Sequence, residues 1–318
     1  MIKKLFATAL MSFSAAAFAV PFGSQSVLVV DDETGKVLIE KNADTVVPIA
    51  SLTKLMTAMV VLDAKLDMDE QIEIDRSDVD TVKFSSSRVP VGASIARRDV
   101  LHLALMSSDN RAAAALARTY PGGKEGFKAA VRRKIHALGM TQTSIEEPTG
   151  LSPHNRSTAV DLVKMATAST KYPEIVRMTT ETRDIIDING RGVEYRNTNR
   201  LVGAKGWDVG LSKTGFTNEA GRCLIMNIKA AGKNATLVLL NAGASSARIM
   251  DALNIRRFIA GDEPVARVAR AATGGSLIKA SAGRSKSKAG ARAKAGAKAK
   301  AVAKRKQAKV KTTRKRRD

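Results

Sequence analysis

The chain has 318 residues with 53 Lys and Arg against 30 Asp and Glu, a formal net charge of +23, one cysteine and three histidines. That length supports one large domain or two small ones, and a single cysteine excludes an internal disulfide. His102, His136 and His154 show no metal-ligand spacing, so neither a metal nor a cofactor is expected.

The first 19 residues read as a signal peptide. Lys3 and Lys4 precede an apolar stretch from Leu5 to Phe18, and Ala17-Phe18-Ala19 supplies small residues for cleavage before Val20. The stretch is short for a membrane span of roughly 20 residues, and no later segment reaches that length without charges. Export of a soluble chain is the expectation. Val27–Val30 and Lys36–Glu40 are short β-rich runs separated by Asp31-Asp32-Glu33-Thr34-Gly35, a hairpin with Gly35 in the left-handed position.

Helical periodicity follows. Leu55, Met56, Met59, Val60 and Leu62 share a helix face, as do Val100, Leu101, Leu103, Ala104 and Leu105, and Asp161–Ala168 repeats the pattern. Cys223–Ala230 and Ala235–Asn241 form a second expected hairpin across Gly232-Lys233-Asn234, with Cys223 a small core residue. An amphipathic segment, Ala247–Ile259, closes the pattern. Strands at both ends with helices between them predict an α/β (α+β) fold, an antiparallel sheet built from both termini and flanked by a helical region.

After Gly261-Asp262 the pattern fails. Residues 263–318 read as a Lys/Arg/Ala-rich tail, with 17 basic residues between 276 and 318 against the single acid Asp318. Such composition cannot offset its ordering entropy, so disorder is expected. The catalytic part is then 20–262, which is only mildly basic.

Three motifs stand in order in that part: Ser51-Leu52-Thr53-Lys54, Ser108-Asp109-Asn110 and Lys213-Thr214-Gly215. Ser51 opens an apolar helix, where free N–H groups and the helix dipole converge. Lys54 lies one turn along on the same face, able to act as base if desolvation or a neighbouring cation such as Lys213 keeps it partly neutral. Ser108 can relay a proton and Asn110 can hold Lys54 and a substrate carbonyl. Lys213 and Thr214 offer charge and hydroxyl to a carboxylate, and Gly215 lets a substrate backbone approach. Singly, each motif also fits a helix cap or a turn. Ser-x-x-Lys recurs at Ser276–Lys279 and Ser285–Lys288 in the tail, and only order and spacing make the set specific.

The chain resembles the low-molecular-mass penicillin-binding proteins, serine D-alanyl-D-alanine endopeptidases and carboxypeptidases of the β-lactamase/transpeptidase-like fold. Pro148-Thr149-Gly150-Leu151-Ser152 and Ser157-Thr158-Ala159-x-Asp161-Leu162 add to the likeness. Tyr195–Leu201 and Ser212–Gly221 are most similar to the endopeptidase subgroup of Gram-negative bacteria. The resemblance implies acylation of Ser51, with Lys54 as base and Ser108 and Asn110 assisting. It implies an oxyanion hole from the N–H groups of Ser51 and Phe216, and Arg248 joining Lys213 and Thr214 on a terminal carboxylate. Many relatives carry a second β-rich domain and a C-terminal amphipathic anchor, and neither is read here. Glu146-Glu147-Pro148-Thr149-Gly150-Leu151 does not match the Glu-x-x-Leu-Asn loop that supplies a deacylating base in class A β-lactamases, so efficient β-lactam hydrolysis is disfavoured.

The function so implied is a periplasmic D,D-endopeptidase that cuts D-Ala–diaminopimelate cross-links in peptidoglycan, with stem peptides as substrate and β-lactams as inhibitors. The alternative is a D-alanyl-D-alanine carboxypeptidase, then a β-lactamase. A polyanion-binding protein acting through the tail is the reading from another class. Export directs the tail to lipopolysaccharide phosphates, anionic lipids or wall carboxylates, and no nucleic acid is expected.

Overall fold

The computed structural model describes residues 22–262; the expected signal peptide and the expected basic tail lie outside the described residues. The chain opens with strands β1 (Ser26–Asp31) and β2 (Val37–Lys41). A short β3 (Val47–Pro48) and a 3-10 turn, Ala50–Leu52, lead into helix α1 (Thr53–Asp63). Strands β4 (Gln71–Glu73) and β5 (Ser94–Ala96) bracket a loop before α2 (Arg97–Met106), α3 (Asn110–Arg118) and α4 (Gly123–Ala137). After β6 (Arg156–Ser157) come α5 (Ala159–Ser169), α6 (Pro173–Thr180) and a hairpin of β7 (Arg183–Ile188) and β8 (Arg191–Arg196). Strands β9 (Asp208–Thr217), β10 (Gly221–Ala230) and β11 (Lys233–Ala242) precede the last helix, α7 (Ser245–Ala260).

Five strands form one antiparallel sheet in the order β2-β1-β11-β10-β9, so both ends of the described chain meet in it, as the sequence predicts. Period-2 alternation sorts its side chains onto two cores. Val27, Val29, Leu224, Met226, Leu237 and Leu239 face α7, where Ala252, Ile255 and Ile259 cover them. Leu28, Ile225, Val238 and Leu240 face the helical region instead. The β1–β2 turn puts Gly35 at φ +70°, and the β10–β11 turn is the two-residue Ala231-Gly232, both at positive φ. That second turn is tighter than the three-residue loop expected from the sequence, because Lys233 and Asn234 still pair in the ladder.

Helix α1 is buried on every side from Thr53 to Val61, so it is the axis around which the other helices pack. The stretch between the two sheet-forming ends is not only helical. An Asn189-Gly190 turn, both residues at positive φ, folds β7 onto β8. Among the described residues, one trio has donor atoms close enough to share a metal ion, His102 with Glu181 and Asp184. His102 Nε2 lies 2.8 Å from Glu181 and Nδ1 3.2 Å from Asp184, which ties α2 to the α6–β7 junction. Burial pulls the imidazole below its ordinary value while the two carboxylates push it up.

Candidate active site

Ser51 sits in the 3-10 turn that starts α1, directly after Ala50 at φ +47°. A left-handed alanine costs of order 1–3 kcal/mol and persists only where its surroundings hold it. Here the hold is visible: Ile49 N donates to Asn155 O at 3.0 Å and Thr53 Oγ1 donates to Ala50 O at 2.8 Å.

Lys54, one turn on and 1% exposed, has its amine surrounded by three oxygens. Nζ donates to Ser51 Oγ at 2.9 Å, Asn110 Oδ1 at 2.6 Å and Thr149 O at 2.7 Å. Burial holds the amine down at about 8, against the upward pull of the Glu147 and Asp109 carboxylates. Desolvation is therefore what makes Lys54 able to give up its proton near neutral pH. Carbonyl oxygens only accept, so once the amine is neutral its two remaining N–H bonds point at Asn110 and Thr149. The lone pair then faces Ser51 Oγ.

Ser108 follows α2 at φ +59°, and Asp109 caps α3 by accepting from Ala112 N at 3.0 Å. This break in the helix aims Ser108 and Asn110 at the same cleft. Ser108 Oγ accepts from Lys213 Nζ at 2.8 Å and has no hydrogen bond to Lys54. Asn110 spends its Nδ2 on Ser85 Oγ at 2.9 Å. Lys213 is 1% exposed and is pushed well below the ordinary lysine range, first by burial and then by the charges of Lys54 and Arg248.

Strand β9 is the edge of the sheet and contributes from both of its faces. Lys213 and Gly215 point to the helical side, Thr214 and Phe216 to the α7 side. A Cβ built on Gly215 would stand 3.1 Å from Ala50 Cβ, Ile49 O and Ser51 N, so glycine lets the strand lie against the Ser51 turn. Thr214 Oγ1 shares a 2.6 Å hydrogen bond with Thr198 Oγ1. Phe216 is half-exposed, with the Arg222 guanidinium 3.5 Å from its ring centroid.

Arg248 comes from α7 and is buried, with Nη1 donating to Cys223 O at 3.0 Å and Nε left without a partner. It lines a cavity of about 480 Å³ together with Ser51, Ser108, Thr214 and Phe216. Every candidate residue singled out in the sequence thus lies in or against one cleft. A larger hollow of about 640 Å³ reaches Asn110 and Thr149 from the other side.

Two participants, Thr149 and Thr198, lie in stretches the sequence marked only by family resemblance, with no role of their own assigned. Thr149 acts through its backbone carbonyl, which no residue type announces. Thr198 touches the cleft only because β8 is followed by a turn back to β9; the Asn189-Gly190 pair was the cue to that hairpin. The cleft's chemistry is that of a serine hydroxyl beside a partly neutral amine, with two further buried basic side chains, Lys213 and Arg248, close by.

Known proteins share both sequence and fold. The model of peptidase family S11, D-alanyl-D-alanine carboxypeptidase, matches residues 13–244. A D-alanyl-D-alanine endopeptidase of Pseudomonas aeruginosa is 50% identical over 238 residues, 74% of this chain and 77% of that protein. One from Escherichia coli is 46% identical with the same coverage. The crystal structure of penicillin-binding protein D2 from Listeria monocytogenes with ampicillin bound aligns at a TM-score of 0.65 and 30% identity. The alignment covers 77% of this chain and all of that one. The chain belongs to the S11 family of D-alanyl-D-alanine peptidases, serine hydrolases of the penicillin-binding-protein fold.

Proposed function

We propose that this chain is a periplasmic serine D,D-endopeptidase that hydrolyses D-Ala–diaminopimelate cross-links in peptidoglycan. The observation that carries the reading is the Lys54 amine held by two carbonyl oxygens with Ser51 Oγ as its third neighbour. In the first step the Ser51 proton passes to Lys54 Nζ as Oγ attacks the D-Ala carbonyl carbon. The oxyanion forms against the N–H groups of Ser51 and Phe216. Ser108 already accepts from Lys213, so its own proton is free to go to the leaving diaminopimelyl nitrogen as the C–N bond breaks. The proton held by Lys54 replaces the one Ser108 gave up, which returns the amine to its neutral form. Water then attacks the Ser51 ester, Lys54 takes its proton and passes it to Ser51 Oγ as the ester C–O bond breaks, and the free D-Ala carboxylate leaves.

Lys213, Thr214 and Arg248 receive the carboxylate on the leaving residue, which is chemically the same group in a cross-link and in a terminal D-Ala. This sameness keeps a carboxypeptidase as the second reading, in line with the description of the family model. The two relatives at 46% and 50% identity, both named endopeptidases, favour the first. β-Lactams are expected to acylate Ser51, as the ampicillin-bound relative suggests. Deacylation is expected to be slow. Glu147, the carboxylate in the loop beside the site, is taken up by hydrogen bonds to Thr149, Gly150, Ser152 and Asn155 and has no room to activate water.

Among the described residues no helix is long and apolar enough to cross a membrane. A signal peptide at 1–19 and a basic tail at 263–318 that binds anionic lipid, lipopolysaccharide or wall carboxylates complete the proposal. Labelled penicillin followed by peptide mapping tests its core. Label is expected on the peptide containing Ser51 and absent in Ser51→Ala; label retained in that variant would sink the assignment.

A further inference from the structure

Resting on the reading of Ser51 and Lys54 above, we propose that Glu147 is a positioning residue for the reaction: it fixes the Thr149 carbonyl, and that carbonyl aims the Lys54 lone pair at Ser51 Oγ. Glu147 touches no substrate atom in this account. It acts through one turn of backbone.

The geometry is unusually complete. Glu147 Oε2 accepts from Thr149 N at 2.7 Å and Thr149 Oγ1 at 2.6 Å. Its Oε1 accepts from Gly150 N at 2.6 Å, Asn155 Nδ2 at 3.0 Å and Ser152 N at 3.3 Å. A single carboxylate thus gathers five donors from residues 149–155 and fixes the peptide groups that end at Thr149, Gly150 and Ser152, while Leu151 N donates to Thr149 Oγ1 at 3.1 Å. Asn155 extends the brace to the other side of the site, since its Nδ2 also donates to Thr53 Oγ1 at 3.1 Å and its backbone O accepts from Ile49 N.

The loop so held lies on the Ser51 turn. A Cβ on Gly150 would fall 1.9 Å from Ala50 O and 2.7 Å from Ser51 N, so only glycine fits, and Gly150 also sits at φ +86°. With the loop pinned this closely, Thr149 O ends 2.7 Å from Lys54 Nζ and 3.4 Å from Ser51 Oγ. A general base with an orienting partner is the arrangement that nucleophilic serines and cysteines use elsewhere. Here Thr149 O and Asn110 Oδ1 together fill that place, because an amine has two protons to direct.

Glu147 also acts through its charge. The groups facing the Lys54 amine are the Glu147 and Asp109 carboxylates and the Lys213 amine, with Arg248 beyond Lys213. Negative charge at Glu147 favours the protonated amine. All five partners of the carboxylate are donors, so a glutamine at 147 has to turn its own NH₂ against two of them. Glu147→Gln therefore removes both the charge and the brace, while Glu147→Asp keeps the charge and shortens the reach.

The test is the pH dependence of the second-order acylation rate with a chromogenic penicillin, measured for the wild type, Glu147→Gln and Glu147→Asp at matched thermal stability. Glu147→Gln is expected to acylate about 10- to 100-fold more slowly, with the acid limb of its profile moved to lower pH. Glu147→Asp is expected to be slowed with the limb where the wild type has it and with the non-covalent dissociation constant unchanged. A wild-type rate in Glu147→Gln, or a slowed rate with an unmoved limb, would overturn the proposal and leave a purely structural carboxylate. If Glu147→Gln does not fold, Glu147→Asp decides: a rate equal to the wild type overturns the positioning role. Loss of acylation in Ser51→Ala and Lys54→Ala, seen alongside, separates this outcome from a failure of the Ser51–Lys54 reading itself.

Discussion

Two buried lysines govern the cleft, and burial acts on them differently from a surface lysine. With Lys54 held at about 8, the neutral amine grows about tenfold per pH unit below that value and saturates above it. Acylation of Ser51 is expected to follow the same rise and level off above about pH 8, which stopped-flow mixing with a chromogenic penicillin across pH 5–10 checks. Stability runs in the same direction. Between about 8 and the ordinary lysine value the unfolded chain binds the extra proton, so the cost of burying Lys54 falls as pH rises through that window. Arg248 makes a separate prediction. Its loss in Arg248→Leu is expected to weaken substrates that carry the free carboxylate by about 10- to 100-fold, from about 1.5–3 kcal/mol for a hydrogen bond to a charged group. Esters or amides of the same substrates are expected to change far less, and steady-state constants for the paired substrates settle it. The pairing of Ser51 with Lys54 was legible from a spacing of three on an apolar helix. Thr149's contribution was not, because a backbone oxygen leaves no mark in the choice of side chain.

Among the secondary elements, the strongest constraints lie where backbone meets backbone without a side chain between. Gly150→Ala and Gly190→Ala make a matched pair: φ is +86° at one and +78° at the other. A left-handed alanine costs roughly 1–2 kcal/mol. Nothing stands within 4 Å of a Cβ on Gly190, whereas a Cβ on Gly150 overlaps Ala50 O. Gly190→Ala is expected to lower stability by that amount and leave acylation intact, while Gly150→Ala is expected to cost more and to abolish acylation. Denaturant melts and penicillin labelling of both variants give the comparison. The outer strands and α7 were readable because alternation and amphipathic period agree there with burial. The β7–β8 hairpin was overlooked although Asn189-Gly190 is a strong two-residue turn signal, since its strands, such as Arg183–Ile188, mix charge with Ile and look little like a core. Helix α4, with only Phe127, Ala130 and Val131 buried, escaped for the same reason.

For the molecule as a whole, folding brings the two ends of the described residues together in one sheet before any chemistry is possible. Strand β1 lies between β2 and β11, so Ser51, fewer than 30 residues from Ser24, is placed against Lys213 and Arg248 from the far end. Asp251 on α7 reinforces this closure by accepting from Gly23 N, Ser24 N and Ser24 Oγ at 3.0, 2.7 and 2.7 Å. Truncation before residue 263 removes no residue of this arrangement. The truncated chain is expected to acylate Ser51 as the full chain does and to lose retention on anionic vesicles or sacculi at low salt. Equal co-sedimentation of both forms across a salt series would leave the tail without a partner. The sheet from both termini was predicted from the order of elements, whereas the placing of Thr198 and Arg248 beside Thr214 depends on the turn after β8 and on the packing of α7 over β10 and β11, which no local pattern encodes. The most direct test of the central claim is to incubate the purified chain with cross-linked muropeptide dimers and with pentapeptide monomers and to resolve the products. The expected result is conversion of dimers to monomers, abolished in Ser51→Ala, with little D-Ala released from the pentapeptides; release of D-Ala with the dimers left intact would contradict it.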